Sequence, residues 1–142
     1  FSGQERRKGY LAAMNAAGIT VEPAWVRYCQ PSVEGGHLAA LKLLQERPEV
    51  TAVFCFNDLV AVGVIQACTD LHRRIPEDLA VVGHDDTPLA ALVSPALTTC
   101  RVQRQELGAQ AVEALLEQLK ECPGGCRRIV LQPELIIRQS AP

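Results

Sequence analysis

Apolar positions recur every three or four residues in some stretches of this chain and run consecutively in others, and the two patterns alternate. Residues 4–17 place Tyr10, Ala13, Met14 and Ala17 on one helical stripe, and Gly18 supplies a stop. Residues 24–29 (A-W-V-R-Y-C) read as a strand. Ser32 is placed to cap a helix over 33–46, with Leu38, Leu41 and Leu44 inward and Pro48 beyond its end. The apolar run T-A-V-F-C-F at 51–56 predicts a strand buried on both faces, and a helix over 58–73, apolar nearly all round, follows before Pro76. L-A-V-V-G at 79–83 is a second buried strand. Residues 84–97 are loop-rich, with Pro88 and Pro95, and a short strand is expected at 98–102. The clearest helix spans 104–120, where Leu107, Ala111, Leu115 and Leu119 form one stripe before Pro123-Gly124-Gly125. Residues 128–138 read as a strand interrupted at Pro133. Alternating strands and helices with buried strands predict an α/β fold: three layers, α/β/α, around a mainly parallel sheet.

Composition narrows the class. The chain has 142 residues, enough for one domain or one large subdomain with its own core. A formal net charge of -2 argues against a segment that grips nucleic acid by itself, which is usually basic. Cys29, Cys55, Cys68 and Cys100 sit in apolar runs and are expected as reduced, buried thiols of a cytoplasmic protein. Cys122 and Cys126 flank Pro-Gly-Gly, but no second pair has matching spacing, so no metal and no cofactor are expected. No run of about eighteen apolar residues predicts a membrane span. The chain begins at Phe1 and shows no signal peptide, so a fragment without its natural N-terminal part is expected.

In an open parallel sheet ligands gather outside the carboxyl ends of the strands, so polar residues directly after apolar strands are the first candidates. One group is Asn57-Asp58, after T-A-V-F-C-F. Either residue could cap the following helix. In the functional reading Asn57 points across the strand ends into a cleft while Asp58 caps. The second group is His84-Asp85-Asp86-Thr87, after L-A-V-V-G, where Gly83 permits a sharp turn. Adjacent carboxylates repel and are costly to bury unpaired. The second group reads either as an Asx-turn with a solvated charge or as a carboxylate that accepts hydrogen bonds from ligand hydroxyls. The Glu5-Arg6-Arg7-Lys8-Gly9 cluster reads, on its own, as a solvated helix face. Enzyme chemistry finds little support. There is no nucleophile elbow, no P-loop and no G-x-G-x-x-G. His37, His72 and His84 lack metal spacing, and His37 and His72 read as helix residues.

Six stretches in register resemble the LacI/GalR family of bacterial transcription regulators. R-R-K-G-Y (6–10) resembles its R-x-x-G-aromatic. P-E-V-T-A-V-F-C-F-N-D-L-V-A-V-G (48–63) resembles its P-x-x-T-A-hydrophobic-x-x-N-D-x-x-A-x-G. R-I-P-E-D-L-A-V-V-G-H-D-D (74–86) resembles V-P-x-D-hydrophobic-x-V-V-G-aromatic-D-D, and S-P-A-L-T-T-C (94–100) resembles P-x-L-T-T-hydrophobic. L-G-A-Q-A (107–111) and P-E-L-I-I-R-Q-S (133–140) match the last helix and closing strand.

The resemblance implies a periplasmic-binding-protein-like type I fold. It also implies that residues 1–142 are the C-terminal part of an effector-binding domain, with helix 104–120 in the other subdomain and the DNA-binding headpiece absent. It implies no enzyme, but a sensor of a small polar effector, a sugar or sugar derivative, held between two subdomains. A homodimer that meets operator DNA only through the headpiece is implied too. By matching position, Arg6, Asn57 and Asp85 would contact the effector, with Gln30 and His84 beside them. His84 replaces the usual Phe or Tyr, Pro31 falls where many members place a stacking aromatic, and Val102 falls where some have a polar contact. The rival reading is a sugar-binding protein of an ABC transporter with the same fold. The six unpaired cysteines and the ending L-I-I-R-Q-S favour the regulator.

Overall fold

The computed structural model describes residues 2–119 and 128–142. Cys122, Cys126, Pro123-Gly124-Gly125 and the last residue of the predicted helix 104–120 lie outside them. The elements are α1 (Ser2–Ala16), a short 3-10 turn (Pro23–Trp25), α2 (Val33–Glu46), β1 (Ala52–Phe54) and α3 (Asp58–Asp70). They continue with β2 (Ala80–Asp85), α4 (Pro88–Leu92), β3 (Thr98–Arg101), α5 (Arg104–Leu119) and β4 (Glu134–Ile136). The sheet order is β1-β2-β3-β4; the first three strands are parallel, and β4, which starts directly after Pro133, runs antiparallel to β3. The predicted mainly parallel α/β sheet is therefore present.

Helix ends follow local chemistry. Ser32 caps α2, its hydroxyl accepting from Gly35 N at 3.1 Å. Gly18, at φ 72°, closes α1: its N–H donates to the Asn15 carbonyl while Ile19 N–H donates to that of Met14. The same motif ends α3 earlier than its apolar pattern suggests. His72 takes φ 54°, and the His72 and Arg73 N–H groups donate to Thr69 and Cys68. His72 is thus a cap residue rather than a helix residue.

The core gathers Ala40 and Leu44 of α2, Val60, Ala61, Val64 and Ile65 of α3, and Leu79, Val81 and Leu97 around the strands. Gly36 and Gly63 let α2 and α3 approach until backbone nearly meets backbone. The buried line of α2 is Gly36, Ala40, Leu43 and Leu44. Leu38, predicted inward, lies off that line and is 59% exposed. The predicted strand 24–29 is also corrected. Pro23 starts a 3-10 turn, the residues after it join no strand of the sheet, and Cys29 is consequently exposed. Cys55 and Cys68 are buried free thiols; burial pushes Cys68 up to about 11 and raises Cys55 further, which keeps both protonated. Among the described residues α5 buries no side chain, and its stripe of Leu107, Leu115 and Leu119 is exposed. No described helix is long and apolar enough to cross a membrane.

Candidate functional site

The carboxyl ends of β1 and β2 lie side by side, because Phe54 pairs with Val82 in parallel register. Each strand leads to the same rim: the aromatic Phe56 and polar Asn57-Asp58 follow β1, and His84-Asp85-Asp86-Thr87 close β2 and follow it. Asp85 and Asp86 leave the strand with φ of 107° and 47°. Side chains other than glycine seldom take that region unless surrounding bonds hold them there.

Arg6, from α1, closes the rim. Its Nη1 donates to the Phe56 carbonyl at 2.5 Å, its Nη2 to Asp85 Oδ1 at 3.3 Å, and its guanidinium lies 4.6 Å from the centroid of the Phe56 ring. The stacking orients the guanidinium plane and adds a cation–π attraction. His84 Nδ1 lies 2.9 Å from the same Asp85 oxygen. Asp85 Oδ2 takes no bond among the described residues and is an open acceptor.

Of the five predicted site residues, the structure brings Arg6, His84 and Asp85 into direct contact. Asn57 stands on the same rim, and of the two residues that could cap α3 it is the one that does. Its Oδ1 accepts from Val60 N at 2.9 Å, so Asn57 caps α3 and presents amide donors instead of an acceptor. Asp58, the cap in the functional reading, is instead fully buried. Its Oδ2 accepts from Thr87 N (2.7 Å) and Thr87 Oγ1 (2.9 Å), and its Oδ1 from Thr99 Oγ1 (2.6 Å). The reason is spatial: one carboxylate can satisfy three donors on two neighbouring segments, whereas the cap needs only one acceptor. Gln30 is exposed ahead of α2, where its carbonyl accepts from Ser32 N, and among the described residues it makes no hydrogen bond to the other four.

Asp86 serves another purpose. Its Oδ1 accepts from Arg138 and its Oδ2 from Arg101, both at 2.7 Å, and Arg101 also reaches Glu134 at 3.4 Å. One carboxylate thus ties the end of β3 to the segment after β4. Burial alone raises the Asp86 carboxyl, but the hydrogen bonds from Arg138 and Arg101 outweigh it and hold the group below its ordinary value. A carboxylate lowered in the fold stabilises it above the unfolded value, near pH 4, and loses that contribution as pH falls through the folded value. Asp86→Asn is therefore expected to lower the melting temperature at neutral pH. The gap from the parent protein should close as pH drops below about 4. Melting curves across that range check this, and a constant gap would remove the linkage.

A cavity of about 570 Å³ opens between this rim and the first turn of α5, with Asp85 and Asp86 on one side and Val102, Gln103 and Arg104 opposite. Asp85 is the predicted site residue on its wall. Val102 makes that side less polar. The nearby Cys100 thiol is pushed up by burial, an effect that Arg6 opposes and Asp85 reinforces.

A mainly parallel α/β sheet with polar side chains and one open carboxylate oxygen gathered past its strand ends has the architecture in which ligand sites form. The chain belongs to the periplasmic binding protein-like domain family, which matches residues 1–141. Its relatives are LacI-family regulators, as the six motifs indicated. It is 40% identical over 137 residues to the ribose operon repressor of Haemophilus influenzae, covering 96% of this chain and 41% of that protein. It is 37% identical to the HTH-type transcriptional repressor PurR of Pasteurella multocida, covering 98% of this chain and 42% of that one. Among solved structures, the transcriptional regulator CelR in complex with cellobiose superposes with a TM-score of 0.90 at 31% identity, covering 96% of this chain and 42% of that one. The chain spans about two fifths of the length of these relatives.

Sequence reasoning missed Phe56, Thr99, Arg101 and Arg138, and gave Thr87 of the second candidate group no role of its own. Phe56 alone carried a local signal, as the aromatic directly before Asn57 at a strand end.

Proposed function

We propose that this chain is the C-terminal part of the effector-sensing domain of a cytoplasmic, non-enzymatic LacI/GalR-type regulator, and that it holds a small polar effector, a sugar, at the Arg6–Asp85 rim. The observation that carries the reading is the Arg6–Asp85 contact of 3.3 Å, made between residues 79 positions apart at the strand ends. Arg6 and the Asn57 amide donate, and Asp85 Oδ2 accepts. Hydroxyl groups both donate and accept, so neighbouring sugar hydroxyls match this set. His84 steadies Asp85, and Gln30 belongs to the outer edge of the site. The ribose operon repressor and the cellobiose complex among the relatives support a sugar over other polar molecules.

In this reading α5 carries its exposed apolar stripe into a second subdomain, so that Arg6 and Asp85 form one wall of an inter-subdomain cleft. Effector binding favours one orientation of the subdomains through its differential affinity for the two. That orientation sets the spacing of paired headpieces in a homodimer on operator DNA. The HTH-type relative supports the headpiece. The test is thermal melting of the full-length regulator with D-ribose, cellobiose and a wider panel of neutral sugars, alongside operator binding. A sugar at about a hundred times its Kd should add roughly 2.7 kcal/mol of stability and change operator affinity. Absence of any shift, together with turnover of a sugar, would replace this reading with an enzyme's.

A further inference from the structure

Asp58 is a fully buried carboxylate to which the reading above gives no ligand contact. It accepts hydrogen bonds from Thr87 N, Thr87 Oγ1 and Thr99 Oγ1, at 2.7, 2.9 and 2.6 Å. The acceptance from Thr87 pins the residue directly after Asp86. Thr99 Oγ1, having donated to Asp58, also accepts from Asp86 N at 3.4 Å. Asp58 and its two threonines therefore bracket the two residues of this turn with left-handed backbone, Asp85 at φ 107° and Asp86 at φ 47°. Such backbone persists only where surrounding bonds over-determine it. Space for the carboxylate is made at β2: a Cβ on Gly83 would stand 2.5 Å from Asp58 Oδ1 and 2.8 Å from Leu97 Cδ2. This buried side chain is held by three donors, all on the segments that shape this turn.

We propose that Asp58 is a positioning residue for effector recognition: through Thr87 and Thr99 it holds the Asp85–Asp86 turn in its left-handed form and so aims the Asp85 carboxylate at Arg6 and the ligand. The inference rests on the effector reading of Asp85 for its functional consequence, but its structural content stands apart and is tested apart.

Thr99→Val removes the relaying hydroxyl and keeps the volume, whereas Thr99→Ser keeps the hydroxyl. Asp58→Asn is the direct variant, and the threonine pair serves if Asp58→Asn does not fold. Crystal structures of the full-length protein carrying each threonine variant are the first readout. Thr99→Val should move residues 85–86 out of the left-handed region and open the Arg6–Asp85 contact, and Thr99→Ser should preserve both. Binding of D-ribose and cellobiose, measured well below the melting temperature, is the second. The sugar that binds the parent should bind Thr99→Val and Asp58→Asn about tenfold more weakly, with Thr99→Ser close to the parent. A turn that is unchanged in Thr99→Val overturns the inference. So does loss of affinity that Thr99→Ser shares. If the turn moves and Asp85→Ala still binds sugar as the parent does, the effector reading fails and the recognition role falls with it, while the brace itself stands.

Discussion

Asp85→Ala is expected to weaken effector binding by the intact regulator about 10- to 100-fold and to abolish its effector response. A hydrogen bond to a charged group contributes about 1.5–3 kcal/mol, and in the proposed site the open Oδ2 is the atom that would accept from the ligand while Oδ1 meets Arg6 and His84. The variant also leaves the Arg6 guanidinium without its carboxylate partner, although Phe56 still holds it by carbonyl and ring. Asp85 is half-buried and outside the core, so the loss of its bonds to Arg6 and His84 and the strain of alanine at φ 107° should lower the melting temperature without effector only modestly. Isothermal titration with the effector sugar, paired with a melting curve, separates the two effects. Parent-like affinity in Asp85→Ala would remove this residue from the site.

Gly63→Ala should destabilise the protein by about 3 kcal/mol, the upper part of the range for overpacking. A Cβ at Gly63 would stand 2.1 Å from the Val33 carbonyl oxygen and 2.5 Å from His37 N. Both are backbone atoms of α2 and cannot swing aside as a side chain would. Relief requires α2 to lift from α3, which opens the contact among Ala40, Leu44, Val60 and Val64. Mid-helix Gly→Ala normally gains up to about 1 kcal/mol from propensity, so a loss reports the clash directly. Urea unfolding of parent and variant measures it, and equal midpoints would show that the two helices are not in this close contact.

Much of the architecture could be read from the chain because it is set by neighbours in sequence. Ser32 meets Gly35 three residues on, and Gly18 closes α1 because it takes positive φ cheaply. The apolar runs 51–56 and 79–83 placed Asn57 and Asp85 just past strand ends, although β1 is an edge strand with Ala52 and Phe54 exposed, not the strand buried on both faces that its apolar run predicts. The strand expected at 24–29 failed for a related reason. Apolar composition there matches a strand, but a strand also needs a partner edge, and Pro23 opens a 3-10 turn instead. Leu38 was misplaced because α2 buries small residues along Gly36 and Ala40, a line that size-blind counting of leucines overlooks.

Residue order alone carries the alternation of strands and helices, the Ser32 and Gly18 ends, the family, and the rim on which polar residues collect. Tertiary structure alone decided how the carboxylates divide their work: Asp58 braces, Asp85 keeps an oxygen free, and Asp86 clamps two arginines. The letters D at 58, 85 and 86 are chemically identical. Their partners lie 41 residues away for Asp58 at Thr99, 79 for Asp85 at Arg6 and 52 for Asp86 at Arg138. Contacts at such separations leave no periodic trace along the chain; they exist only once the parallel register of the sheet has brought those positions together.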